Sequence, residues 1–78
     1  MHDEVLLLRQ LRYLHLPVYA LKQERRLPHV SLVSIIDQRE QVILLRETLE
    51  NLLDVSGRLV ENHPTLVFTL SLDLDELI

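Results

Sequence analysis

Apolar residues recur at intervals of three and four positions along most of this chain, and that spacing places them on one face of an α-helix. The clearest stretch has four such residues: Val42, Leu45, Leu49 and Leu52. Asp37 and Glu40 have the spacing of a capping box, in which each side chain accepts a hydrogen bond from the other residue's backbone amide. Gly57, the only glycine, stands where a left-handed helix stop is expected. We therefore predict the strongest helix over residues 38–56.

The first third of the chain predicts two shorter helices. Helical spacing runs to about residue 15 and resumes over residues 18–27. Pro17 interrupts the first helix and can start the second, because proline lacks the amide hydrogen that an interior helical residue donates. Pro28 ends the second helix. Residues 3–27 are thus expected to form a helical arm over the rest of the molecule.

Two segments are ambiguous. Residues 29–36 are rich in β-branched side chains, which favours an irregular stretch or a strand. Residues 64–78 place four apolar residues on one helical face: Val67, Leu70, Leu74 and Leu77. Apolar residues also alternate between positions 66 and 74, as in a strand. Helix is the preferred prediction for residues 64–78, because the alternation breaks after Leu74 and a lone strand there would have no clear partner.

The expected fold is all-α, a single small domain over residues 1–78 built on an antiparallel helical hairpin of residues 38–78. Twenty of the 78 residues are leucine and only 4% are aromatic, a composition that suits helix-on-helix packing. The alternative is an α+β fold with strands near residues 29–36 and 65–74. Because the aliphatic content is high for so short a chain, we expect a second copy to cover part of it, as a homodimer.

Charge and composition exclude several classes of function. Residues 1–40 carry six basic and five acidic side chains (+1), and residues 41–78 carry two and seven (−5), which together give the net charge of −4. The acidic half would repel a phosphate backbone, so no nucleic-acid partner is expected. The longest uncharged run is residues 62–72, well short of the roughly 20 apolar residues that cross a bilayer. With no cysteine in the chain, a reducing compartment is compatible, and we expect a cytoplasmic protein without membrane contact.

The candidate chemistry lies in residues 71–78, where three carboxylates and a hydroxyl stand in a leucine-rich segment: Ser71, Asp73, Asp75 and Glu76. On a helix, this combination is typical of a recognition face. Acidic groups near the end of a helix oppose its macrodipole, so they are mildly unfavourable there without a use. A solvated acidic helix end is the alternative interpretation.

These residues extend a longer pattern. An Ile-x-x-Arg-x-x-Leu spacing is formed by Ile43, Arg46 and Leu49, and a Ser-x-x-Leu-Asp spacing followed by Leu-Ile ends the chain: Ser71, Leu74, Asp75, Leu77 and Ile78. Over residues 41–78 the chain resembles the stage-zero sporulation protein E-like aspartyl-phosphate phosphatases, which are short helical hairpins. Asp73 stands where that family has Glu, and Leu72 stands where it has Gln.

The resemblance implies a small regulator of two-component signalling that binds the receiver domain of a phosphorylated response regulator and promotes hydrolysis of its aspartyl phosphate. Such a helper positions a water for in-line attack, while any Mg²⁺ belongs to the receiver and the chain needs no cofactor of its own. Asp73, Asp75 and Ser71 are the implied catalytic residues. Arg46, Leu72 and Glu76 are the expected partner-binding residues.

Two further interpretations stay open. One is a non-catalytic helical protein–protein interaction module, such as a dimerising adaptor. The other is a degenerate fragment similar to diguanylate cyclases, in which residues 66–75 would be a hydrophobic strand that ends in Asp-x-Asp; the Gly-Gly-Asp/Glu-Glu-Phe signature of that family is missing. No pair of histidines has the spacing of metal ligands on a helix, so no metal site is expected.

Overall fold

The computed structural model describes residues 2–29 and 31–77, with only the backbone of His2 and Asp3 described. Within these residues the chain forms five helices: α1 (His2–Tyr13), α2 (His15–Arg25), α3 (Leu32–Val55), α4 (Arg58–Asn62) and α5 (Pro64–Glu76). No strand occurs in the described residues. The all-α prediction is therefore confirmed, and the α+β alternative is wrong.

Helices α1 and α2 follow each other with a break of one residue, Leu14. Hydrogen bonds continue across the break, since the Leu14 amide donates to the Gln10 carbonyl and the Val18 amide to the Leu14 carbonyl, each at 3.3 Å. Pro17 causes the break, because it has no amide hydrogen to give to the Tyr13 carbonyl and its ring crowds that carbonyl. Pro17 thus lies within the first turn of α2, which begins two residues earlier than the position predicted for it.

Helix α3 begins six residues before the predicted start. Its N-cap is Ser31, whose hydroxyl accepts a hydrogen bond from the Ser34 amide at 3.1 Å. The predicted capping box at Asp37 is wrong, because Asp37 already lies inside the helix. The strand or irregular stretch expected at residues 29–36 is also wrong from Leu32 onward, and Val30 lies outside the described residues. A serine cap outweighed the weak β preference of the residues that follow it.

The end of α3 also differs from the prediction. Gly57 has φ −62° and ψ −18°, a right-handed conformation that any residue adopts, so the left-handed stop predicted there is wrong. The helix ends instead at the extended residue Ser56. Residues 58–62 form the short helix α4. Pro64 occupies the first turn of α5, and the helix prediction for residues 64–78 is confirmed up to Glu76, with Ile78 outside the described residues.

One apolar core joins these helices. Its fully buried members come from α1, α2, α3 and α5: Leu11, Val18, Val42, Leu70 and Leu74. Leu49, Leu52 and Leu59 extend the same cluster. Helices α3 and α5 contact each other, and α2 contacts both, so the core is shared among helices that are distant in sequence. The antiparallel hairpin within residues 38–78 stays a prediction. No helix in the described part of the chain combines the length and apolarity needed to cross a membrane.

Candidate interaction surface on helix α5

Helix α5 carries all of the predicted catalytic residues, but it directs them to different neighbours. Asp73 faces α2, where Lys22 Nζ donates to its Oδ1 at 3.0 Å. The Asp73 side chain is 19% exposed and the Lys22 side chain 30%. Lys22 and Asp73 thus connect α2 to α5.

Asp75 lies toward α3 instead, where it accepts a hydrogen bond from the guanidinium of Arg46. Its side chain is 64% exposed, so most of the carboxylate still faces water. Arg46, Ser71 and Asp75 line a groove of about 160 Å³ between α3 and α5. The fold therefore brings three of the predicted site residues together, and it places Asp73 outside this group.

The two ion pairs differ in what they leave available. Exposed pairs typically stabilise a protein by about 0.2–1 kcal/mol, since water screens them and ordering two side chains costs entropy. The Lys22–Asp73 pair is more buried, so a water or a partner reaches the Asp73 carboxylate less easily. Asp75 can bind a further group through its exposed side. The geometry thus favours Asp75 over Asp73 as a residue that meets a partner.

The outward side of α5 is apolar. The outer stripe consists of Pro64, Phe68 and Leu72 of α5, spaced four apart, with Val60 of α4 beside its first turn. Phe68 is 63% exposed and Leu72 45% exposed, and an open depression of about 500 Å³ lies along Val60, Pro64 and Phe68. Glu76 continues the row at the next turn and is also exposed. Leu72 and Glu76, both predicted to bind a partner, therefore lie on an accessible surface.

Sequence reasoning did not identify Phe68 as a surface residue. Its position at i+4 from Pro64 and i−4 from Leu72 was the available signal, because residues with that spacing share a helical face. A bulky aromatic exposed beside leucine is informative, whereas a single exposed aliphatic residue is not.

A polar cluster at the end of α2 was also missed. Gln38 is 3% exposed, accepts from Arg25 Nε at 2.6 Å and donates to Glu24 at 2.8 Å. Arg25 also donates to the Leu77 carbonyl at 2.6 Å, which satisfies a backbone group left unpaired at the end of α5. The cluster fixes α2, α3 and α5 relative to one another, and it positions the α5 surface without meeting a partner itself.

No group of three or more potential metal-ligating side chains is found in the described ranges 2–29 and 31–77. Comparison with family models, curated proteins and solved structures finds no match to this chain. The resemblance to the sporulation phosphatases therefore stays a hypothesis that rests on the residues that carry it.

Proposed function

We propose that this chain is a non-catalytic helical interaction module that docks a protein partner on the outer stripe of α5. One observation carries the proposal: Phe68 and Leu72 expose large apolar surfaces side by side, while the neighbouring carboxylate of Asp73 is already paired within the chain. A site for covalent or acid–base chemistry needs free polar groups around a cleft, and this surface offers apolar area instead.

The chemistry of the stripe defines the kind of partner. Covering a fully exposed Phe or Leu side chain with apolar surface is worth about 1.5–3 kcal/mol, so two adjacent residues can anchor a complex. Asp75 and Glu76 place negative charge at one end of the stripe. The partner is therefore a protein with an apolar groove that is bordered by Lys or Arg at one end. Because a chain without cysteine is compatible with a reducing compartment, we place this partner in the cytoplasm.

The proposal is tested by immobilising the wild type, Phe68→Glu and Ile36→Glu and comparing which proteins of a cell extract each of them retains. Ile36 is 54% exposed on α3, so its variant makes the same chemical change away from the stripe. We expect a partner to bind the wild type and Ile36→Glu and to be lost with Phe68→Glu. Equal retention of every bound protein by all three would refute the assignment of the stripe.

Phosphatase-like action on a response-regulator receiver is a second candidate. The observation that favours it is the shared groove of Arg46, Ser71 and Asp75 on a helical α5. In this role the Ser71 hydroxyl and the exposed oxygen of Asp75 would orient a water toward the aspartyl phosphate, and the receiver would supply the Mg²⁺. Asp73 would serve only to hold α5 against α2, and Leu72 would contact the receiver.

A dephosphorylation time course with a phosphorylated receiver separates the two candidates. The interaction module predicts an unchanged phosphate lifetime with the wild type. The phosphatase hypothesis predicts a shorter lifetime that Asp75→Ala restores, whereas Asp73→Ala leaves the acceleration largely in place. Receiver binding without acceleration would keep the module and eliminate the enzyme.

A further inference from the structure

We propose that two copies of this chain pair through the side that α1–α2 and α3 share, opposite α5. This inference goes beyond the proposed function and uses a different surface. The surface is called here the uncharged face. It contains three residues of α1 and α2, namely Leu6, Tyr13 and Pro17, and three residues of α3, namely Leu44, Thr48 and Val55. Four of them are large and well exposed, namely Leu6 at 53%, Tyr13 at 59%, Leu44 at 62% and Val55 at 71%.

The contacts between the two segments bring these residues onto one side. Glu24 meets Gln38 at one end, Pro17 lies beside Leu44 near the middle, and Glu4 meets Arg58 just beyond the other end of α3. The α1–α2 segment therefore runs antiparallel to α3. With a rise of 1.5 Å per residue in each helix, Leu6 comes level with Val55.

Helical spacing supports the same grouping. Residues 6, 13 and 17 differ by seven and four positions, and residues 44, 48 and 55 differ by four and seven, so each set lies along one row of its helix. The positions that complete the two rows, residues 10, 41 and 51, are Gln or Asn. The rows carry no charge over residues 6–17 and 41–55, whereas Asp37 and Glu24, which continue the rows beyond one end, are charged and exposed.

The lack of charge identifies the occupant as a second copy. Each copy carries a net charge of −4, so two copies repel unless they meet where neither is charged. A two-fold interface juxtaposes identical surfaces, and the cores of homodimer interfaces are apolar and depleted in charge. A partner of strong opposite charge would gain nothing on this face and would bind elsewhere.

The charged residues at the edges of the uncharged face favour one relative orientation of the two copies. Arg9 lies along the outer edge of α1, and Glu47 and Asp54 lie along the outer edge of α3; all three are exposed. The ion pairs in the described part of the chain use Lys22, Arg46 and Arg58 as cations, so Arg9 has no acidic partner there. A two-fold axis parallel to the helices places α1 of one copy against α3 of the other, and brings Arg9 within about one turn of Asp54 in the second copy.

The size of the molecule fits this interface. The Cα positions extend over 45 × 18 × 17 Å. One long side thus has a projected area of roughly 800 Å², comparable to the surface that each partner buries in a protein interface of standard size. The uncharged face, over residues 41–55 of α3, covers about half of the length of that side. The uncharged face would form the dry centre of the contact and the charged edges its rim.

Sedimentation equilibrium of the full chain tests the proposal with Leu44→Arg and Leu72→Arg. We expect twice the chain mass for the wild type, and a dissociation constant raised at least about 30-fold by Leu44→Arg, because an arginine at the centre of the interface would be buried without a partner. Leu72→Arg makes the same change on the α5 stripe and should leave the dimer intact while it abolishes partner docking. A monomeric wild type, or a dimer that Leu72→Arg breaks and Leu44→Arg does not, overturns the inference.

Far-UV circular dichroism of both variants checks that they remain helical, because loss of the dimer supports the inference only when the Leu44→Arg monomer is folded. Should that variant lose helix content, Val55→Arg at the more exposed end of the face takes its place. Exchange of charges tests the arrangement itself: Arg9→Asp and Asp54→Arg should each weaken the dimer, and the double variant should restore it. Restoration supports the axis parallel to the helices, and additive weakening contradicts it.

Discussion

The two halves of α3 both contain apolar residues, but they differ in how far those residues are buried. In the second half, Val42, Leu49 and Leu52 form an inward face that is buried in the core shared with α1, α2 and α5. In the first turns, Leu32, Val33 and Ile36 are 73%, 68% and 54% exposed although they are equally apolar. The comparison shows that apolar residues make a helix face, whereas neighbouring helices decide whether that face becomes a core.

The largest expected difference between the two halves of α3 is in the free energy of unfolding that is lost when a leucine is truncated. Leu49→Ala in the buried half should lower the free energy of unfolding by about 2–5 kcal/mol, since it removes apolar burial and leaves a cavity. Leu32→Ala in the exposed half should change it by about 0.5 kcal/mol or less. Urea unfolding of both variants at one chain concentration measures the difference, and similar midpoints would contradict the assignment of the two halves.

Gln38 marks the boundary between the halves, because it is buried and bonded to both Arg25 and Glu24. Gln38→Ala should cost about 1–3 kcal/mol, since it removes a buried side chain and two hydrogen bonds and leaves the half-buried Arg25 with only its bond to the Leu77 carbonyl. Gln23→Ala, at an exposed position of α2, is the matched control. Thermal unfolding compares the two, and an equally small effect of both variants would show that the cluster contributes little.

The exposed half of α3 depends on its cap more than on packing. Ser31→Ala should destabilise the first turns by about 1 kcal/mol, because the Ser34 amide loses its acceptor. Hydrogen exchange should speed up over residues 34–37 and stay unchanged over residues 42–52. Ser34→Ala keeps the cap acceptor and serves as control; equal protection in Ser31→Ala and the wild type would argue against the cap.

The smallest predicted effects concern the ion pairs that hold α5 beside α2 and α3. Asp73→Asn should cost up to about 1 kcal/mol, and Asp75→Asn less, because Asp75 is more exposed and more screened. Added salt should reduce the Asp75→Asn effect first. A larger loss for Asp75→Asn, measured by urea unfolding at low and high salt, would reverse the order inferred from exposure.

For the candidate site, helical spacing alone is enough to place Ser71 and Asp75 along one side of α5, and Leu72 and Glu76 along a neighbouring one. The spacing did not predict that Lys22 pairs with Asp73, since residues 51 positions apart meet only when the chain folds. The contact between Arg46 and Asp75 was likewise not predicted, and the expected role of Arg46 in partner binding stays a prediction. That Phe68 and Leu72 remain uncovered depends on which sides of α5 face α2 and α3.

The sequence by itself determined that the chain is helical, that helices run through most of residues 38–76, and that the net negative charge lies in the second half, because these properties depend on local spacing and composition. Only the tertiary structure decided where α3 begins, which carboxylate is paired, and which apolar faces stay exposed. Those outcomes depend on contacts between helices that are distant in sequence, and local periodicity carries no information about which helix covers which face.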